Sequence, residues 1–223
     1  MEPVTPSTAL KKVFHGNNQF VQKQDHEKFE AYENEQHPSI TLLTCCDSRV
    51  QGSVFGLDPI DQFFSIRNIG NQLTAATGSI DYGVRNLQTP LLLILGHTRC
   101  GAVKAAMGDY RNESMQIIQE LNGLHISLMD VDSASDKEAA WLHAVEKNVD
   151  YQVELAQRRY AEEVNSGRLV IAGCVYDFVN LYGKNRGRVI LRNLNGETNP
   201  QKIRDSEVLQ SLDQEILKQI IIM

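Results

Sequence analysis

The run Leu91-Leu-Leu-Ile-Leu95 is apolar at every position, and it constrains the fold more than any other feature of the chain. A strand with one wet face alternates polar and apolar residues, whereas a strand that does not alternate is buried on both faces. Such a strand belongs at the centre of a sheet with helices above and below it. The rest of the chain supplies those partners. Strand-like segments fall near residues 40–45, 62–67, 90–96, 168–175 and 187–194, and helical patterns fill 75–88, 101–107, 113–128 and 135–165. This alternation predicts an α/β fold with a mostly parallel central sheet of four to five strands flanked by helices. The final strand pair leaves room for an antiparallel member.

At 223 residues the chain suits a single domain. We read an N-terminal helical arm over residues 1–38, followed by an α/β core and C-terminal helix over 39–223. Thr5-Pro6 opens the first helix, with Thr as N-cap and Pro at the first helical position. Leu10, Val13, Phe14, Phe20 and Val21 then mark an apolar stripe, and residues 22–36 are polar and charged. The tail carries Val208, Leu209, Leu212, Ile216, Leu217 and Ile220 to Ile222, a stripe that must bury itself on this subunit or on a partner.

The net charge of -6 argues against nucleic acid and anionic membranes, which call for a basic surface. No apolar run approaches the roughly 18 to 20 residues needed to span a bilayer. The first residues lack a basic and apolar secretory pattern, so a cytoplasmic location is expected. Four cysteines in a chain of this size make no disulfide framework and read better as metal ligands or core residues.

Two of those cysteines stand where chemistry is expected. Cys45-Cys46-Asp47-Ser48-Arg49 follows the strand-like run Ile40–Thr44, and His97-Thr98-Arg99-Cys100 follows Leu91–Leu95. In an open α/β sheet, ligands bind beyond the carboxyl ends of the strands. Cys45, His97 and Cys100 therefore form a candidate zinc site, since thiolate and imidazole favour zinc over magnesium or calcium. Three ligands leave a fourth position open, which distinguishes a catalytic zinc from a structural one. Asp47 has two possible roles: it can close the site as a fourth ligand, or pair with Arg49 and accept a hydrogen bond from zinc-activated water. Strand alternation turns Cys46 away from Cys45, and Cys174 reads as a core cysteine. His15, His26, His37, His125 and His143 are scattered on polar or helical segments and read as solvated or internally satisfied.

Cys-x-Asp-Ser-Arg followed some fifty residues later by His-x-x-Cys-Gly resembles the β-class carbonic anhydrases. The likeness runs from about Gln36 to Val103, through Arg67-Asn-Ile-Gly-Asn71 and Gly78-Ser-Ile-Asp-Tyr82, and resumes around Gly173 to Gly187. It implies a Zn²⁺ lyase (carbonate dehydratase) in which hydroxide generated at zinc hydrates carbon dioxide to bicarbonate, with Asp47 and Arg49 as a catalytic pair. It also implies a substrate pocket formed by Gln36, Phe64, Ile69 and Tyr82, with the Gly101 N–H as a further donor. Family members are dimers or dimer-based oligomers, with the active site near the subunit interface and the arm wrapped over the partner. Two alternatives share the motifs: a hydrolase of carbonyl sulfide or carbon disulfide, and a non-catalytic bicarbonate-binding zinc protein. Arg67 and Tyr176 match a regulatory bicarbonate site of one subgroup, but Leu42 and Thr44 replace its tryptophan and glycine, so that site is expected to be absent. Gln51 replaces a frequent proline, and Asp61-Gln62 replaces a Gly-acidic pair.

Overall fold

The computed structural model describes residues 4–24, 27–129 and 136–222. Residue 135, where the long helix was expected to begin, lies outside them, as do His26 in the polar arm and Met223 at the end of the tail. The chain divides into two compact units, residues 1–37 and 38–223.

The first unit is helical. α1 spans Pro6–Lys23, and its N-cap Thr5 accepts a hydrogen bond from the Thr8 N–H at 3.2 Å with Pro6 in the first turn, as the sequence predicts. No residue of α1 is buried, and Leu10, Val13 and Phe14 of its apolar stripe are exposed. Phe29, in the single turn α2 (Glu27–Glu30), packs edge-on against Phe20 and Tyr32.

The second unit is built on a five-stranded sheet. Its strands are β1 (Ile40–Cys45), β2 (Phe63–Asn68), β3 (Leu91–His97), β4 (Val170–Asp177) and β5 (Arg188–Leu194). Their spatial order is β2-β1-β3-β4-β5. All neighbours pair parallel except β4 and β5, which are antiparallel. The helices are α3 (Thr77–Asp81), α4 (Gly101–Ala106), α5 (Met115–Leu128), α6 (Lys137–Arg159), α7 (Ala161–Asn165), α8 (Pro200–Arg204) and α9 (Gln214–Ile220). From β1 the chain first builds β2 on one side, then returns to place β3 on the other. That reversal opens a crevice at the carboxyl ends of β1 and β3, the topological switch point where α/β sheets bind ligands.

Pleat alternation sends the strand side chains into separate cores. Leu42, Leu93, Leu95, Cys174 and Leu191 meet Ile203, Leu209, Leu217 and Ile221, so the C-terminal stripe covers its own subunit's sheet. Leu43, Leu92, Ile94 and Ile171 face the opposite way, against Ile80, Val153 and Tyr160. On that second face α6 lies very close to β3 and β4. A Cβ on Gly96 would stand 2.6 Å from Val149 Cγ2, and one on Gly173 would stand 2.7 Å from Val153 Cγ2.

Two expected helices are broken, each for a tertiary reason. The stretch expected at 135–165 stops at Tyr160, which leaves helical geometry before α7. The Tyr160 ring is fully buried and its hydroxyl donates to Asp81 Oδ1 at 2.8 Å, so helix continuity yields to a long-range contact. The stretch expected at 75–88 becomes a 3₁₀ turn, α3 and a π turn at Tyr82–Asn86. Gly83 of that π turn sits against β1, where a Cβ would stand 2.2 Å from Thr41 Oγ1.

Candidate metal centre

Cys45 is the last residue of β1 and His97 the last of β3, while Cys100 caps the start of α4. Their side chains converge: one ligand atom from each lies within 4.8 Å of the others, and all three residues are buried. The sulfurs of Cys45 and Cys100 are 3.9 Å apart. Two thiolates on one tetrahedral zinc, each bonded at about 2.3 Å, would stand roughly 3.8 Å apart. His97 Nδ1 lies 3.0 Å from the Thr98 carbonyl, which assigns that nitrogen the proton and leaves Nε2 as an acceptor. Nε2 is buried and has no hydrogen-bond partner among the described residues. A buried imidazole nitrogen without a partner, aimed between two thiols at this spacing, fits a zinc ion.

The electrostatics favour a thiolate here. The Cys45 thiol is lowered to about 4, first by its hydrogen bond with Cys100 and then by His97 and the Gly70 and Asp47 N–H groups, against the opposing effect of burial. Cys100 is pushed well up by the same sulfur–sulfur contact and by burial, while the Val103 and Ala102 N–H groups at the start of α4 oppose the rise. Cys46 stays outside the cluster, but it is exposed rather than the small packed residue expected at that position. Cys174 is buried in the opposite core, and its thiol is pushed up to about 12 by burial alone.

Beside this cluster, Asp47 and Arg49 form a two-pronged pair. Arg49 Nε donates to Asp47 Oδ1 at 2.8 Å and Arg49 Nη2 donates to Oδ2 at 2.6 Å. The Arg49 guanidinium, with help from the Arg49 N–H and the nearby His97, holds the Asp47 carboxyl down to about 2. Asp47 Oδ2 stands 3.8 Å from His97 Nε2, so an ionised carboxylate borders the position a metal would take. The chain does not stay extended here: it turns at Ser48–Arg49, with the Val50 N–H bonded to the Asp47 carbonyl.

Arg67 organises this turn. Its Nη2 donates to the carbonyls of Cys45, Asp47 and Val50 at 2.9, 2.9 and 2.7 Å, and its Nη1 donates to Gln51 Oε1 at 3.0 Å. Gln51 Nε2 in turn holds the Ser48 carbonyl. Thr44, buried, spends its hydroxyl on the Leu95 carbonyl, and Leu42 is buried in the sheet core.

Sequence reasoning missed Phe178. Its ring stacks near His97 with centroids 6.0 Å apart, and the Arg49 guanidinium lies 4.5 Å from its centroid. The loop that carries it is held by buried Asp177, whose carboxylate accepts from the N–H groups of Val179, Asn180 and Tyr182. The available signal was position alone, the first residue beyond the carboxyl end of β4.

The expected pocket residues divide. Ile69 packs against the core that contains Cys45 and Cys100, and Gly101 begins α4 directly after Cys100. Phe64 pairs in register with Thr41, four residues back from Cys45, which is roughly 13 Å along the strand. Tyr82 is half-exposed and lies against Phe64, with ring centroids 5.7 Å apart. Gln36 belongs to the first unit.

An open α/β sheet with two cysteines and a histidine converging at its switch point defines an α/β protein with a side-chain group that could hold a metal ion. The carbonic anhydrase family model matches residues 40–183, and the chain belongs to the β-carbonic anhydrase family. Carbonic anhydrase 2 of Mycobacterium tuberculosis is 32% identical over 114 residues, 48% of this chain and 55% of that protein. Beta carbonic anhydrase 5, chloroplastic, of Arabidopsis thaliana is 28% identical over 170 residues, 68% of this chain and 56% of that protein. The chain thus spans about half the length of these curated relatives. Among solved structures, a tetrameric β-carbonic anhydrase from Sordaria macrospora superposes with a TM-score of 0.72 at 21% identity, covering 82% of this chain and 96% of that one. The Coccomyxa β-carbonic anhydrase solved with acetazolamide gives 0.68 at 22% identity, covering 92% of each. At these identities the structures share the fold.

Proposed function

We propose that this chain is a zinc carbonic anhydrase, interconverting carbon dioxide and bicarbonate. The observation that carries the reading is the ionised Asp47 carboxylate, fixed by Arg49 beside the Cys45–His97–Cys100 cluster. Cys45, His97 and Cys100 would hold the metal, whose Lewis acidity activates water as a nucleophile near neutral pH. The chain's own groups do the rest. Asp47 accepts a hydrogen bond from the attacking oxygen and so turns a lone pair, not a proton, toward carbon. Arg49 occupies the carboxylate from behind and keeps it ionised. Ile69 and Phe178 would supply apolar walls suited to a neutral, weakly polar substrate, and the Gly101 N–H, directly after Cys100 at the start of α4, would donate to a substrate oxygen. One carbon–oxygen bond forms, a C=O π pair moves to oxygen as bicarbonate, and one proton leaves to buffer.

A homodimer, or an oligomer built on one, agrees with two features. Phe64 stands far along β2 from Cys45 and Tyr82 lies against it, so as pocket residues they would serve the site of a second copy. The exposed stripe of α1 is apolar surface of the kind monomers avoid. Among the described residues no helix is long and apolar enough to cross a membrane.

The test is stopped-flow hydration of carbon dioxide, run in parallel with hydrolysis of carbonyl sulfide and carbon disulfide. Carbon dioxide should be the fastest of the three. Faster turnover of either sulfur substrate would assign the site to that hydrolase, and no turnover of any would leave a binding protein.

The dyad also sets an expected pH profile. A depressed carboxyl makes its stabilising contribution above its ordinary value of about 3.9 and loses it as pH falls through the folded-state value. For Asp47 that loss is complete only near pH 2. Arg67 is committed to three carbonyls and Gln51, which leaves it unavailable to an effector. Between pH 6 and 9 the rate should therefore follow one shallow ionisation, with bicarbonate inhibiting only as product. A steep multi-proton fall that bicarbonate shifts upward would contradict this.

A further inference from the structure

Arg49 is the solvated half of the dyad. Its side chain is 49% exposed, against 16% for that of Asp47. A long side chain gives up rotamer freedom when it is fixed in one pose, and an exposed ion pair alone holds it weakly. The two prongs on Asp47 therefore need further contacts to stay in register. Two are present. Arg49 Nη2 donates to the Arg99 carbonyl at 3.4 Å, a long hydrogen bond. The guanidinium carbon also lies 4.5 Å from the centroid of the Phe178 ring, well inside the reach of a cation–π contact.

That ring is itself bracketed. The His97 imidazole lies 27° from its plane with centroids 6.0 Å apart, and the Tyr176 ring stands 5.8 Å away, tilted by 47°. Its loop is fixed at the base and at the far side. Asp177, fully buried at the end of β4, accepts from the N–H groups of Val179, Asn180 and Tyr182 at 3.2, 2.9 and 2.9 Å. Phe178 lies inside this knot, between the carboxylate that accepts and the N–H groups that donate. The Gly187 N–H returns to the Asp177 carbonyl at 2.7 Å and closes the loop. At the far side the Tyr182 hydroxyl donates to Glu146 Oε1 of α6 at 2.6 Å, and Arg192 Nε of β5 stands 3.3 Å from the same oxygen.

We propose that Phe178 is a positioning residue of the Asp47–Arg49 pair: its ring, anchored through Asp177 and Tyr182, is the platform on which the Arg49 guanidinium rests. The role rests on the reading of Asp47 and Arg49 as a catalytic pair, and it adds to the ring's place as an apolar wall. A cation–π contact at an exposed site is worth a factor of about two to five in population. That factor acts on the fraction of time the two prongs stay closed on Asp47, and through it on turnover.

A double-mutant cycle separates platform from wall. Phe178→Leu keeps an apolar group but removes the π face. It should lower carbon dioxide hydration about twofold to fivefold in the wild-type background. It should cost nothing further in Arg49→Ala, where no guanidinium remains to be held. Phe178→Tyr keeps the face and should keep the wild-type rate. An equal loss from Phe178→Leu in both backgrounds would make the ring a wall alone and reject the proposal. A second readout needs no turnover. By ¹⁵N relaxation, the Arg49 Nε–H of the wild-type chain should have an order parameter near that of rigid backbone, about 0.85, and Phe178→Leu should bring it below about 0.6. A wild-type value already below about 0.6 rejects the proposal even if Phe178→Leu does not fold, and an unchanged value in folded Phe178→Leu rejects it as well. A wild-type chain that binds zinc but hydrates nothing would instead overturn the catalytic reading, with the order parameters still deciding what Phe178 holds.

Discussion

Cys45→Ser and Cys100→Ser should each weaken zinc binding by about a thousandfold and abolish carbon dioxide hydration. Structural zinc sites in small peptides bind with about 10–16 kcal/mol, so loss of one strong ligand removes several kcal/mol, about 1.4 kcal/mol for each factor of ten. The serine hydroxyl does not ionise near neutrality and is a harder donor than thiolate. The paired controls make the assignment sharp. Cys46→Ser should retain zinc, because that thiol is exposed and turned away from the cluster. Cys174→Ser should also retain zinc while losing about 1–3 kcal/mol of stability, because a hydroxyl without a partner would replace a core thiol. Metal analysis after desalting reads all four variants. Full zinc occupancy in Cys45→Ser would remove that residue from the ligand set.

Asp47→Ala and Arg49→Ala should leave zinc largely in place yet cut the hydration rate about a hundredfold to a thousandfold, the usual cost of removing a preorganised polar group from a reacting oxygen. The two roles differ in detail. Asp47→Ala removes the acceptor, whereas Arg49→Ala leaves a carboxylate whose two prongs to the guanidinium are gone. Arg49→Ala also empties the space against the Phe178 ring. Arg49→Lys should recover only part of the activity, since a single ammonium cannot reproduce the two-pronged geometry. Wild-type turnover in Asp47→Ala would show that the carboxylate is a bystander.

The cluster of Cys45, His97 and Cys100 was legible because the fold announces its own strand ends. Ile40–Thr44 and Leu91–Leu95 are apolar runs, and residues that can bind metal follow each directly. The same logic placed Asp47 beside Arg49, two residues apart at the first of those ends. What escaped depends on contacts between distant segments. Tyr160 interrupts a sequence that is helical by local preference, because its hydroxyl reaches Asp81 across the fold. Asn148 reads as one more polar position on a long helix until its amide is seen on the Gly70 carbonyl. Phe178 lies in a loop whose course is fixed by the buried Asp177 carboxylate, and no local pattern marks an aspartate as buried. Phe64 and Tyr82 show the converse. Motif likeness named them, but only the strand register reveals how far they stand from Cys45.

The most direct measurement is hydration of carbon dioxide by stopped flow as zinc is titrated back into chelated protein. The rate should rise linearly and level off at one zinc per chain, and the Cys45→Ser protein should stay inactive throughout. Full activity in the metal-free chain, or zinc bound at one per chain with no hydration above buffer, would contradict the assignment of this site.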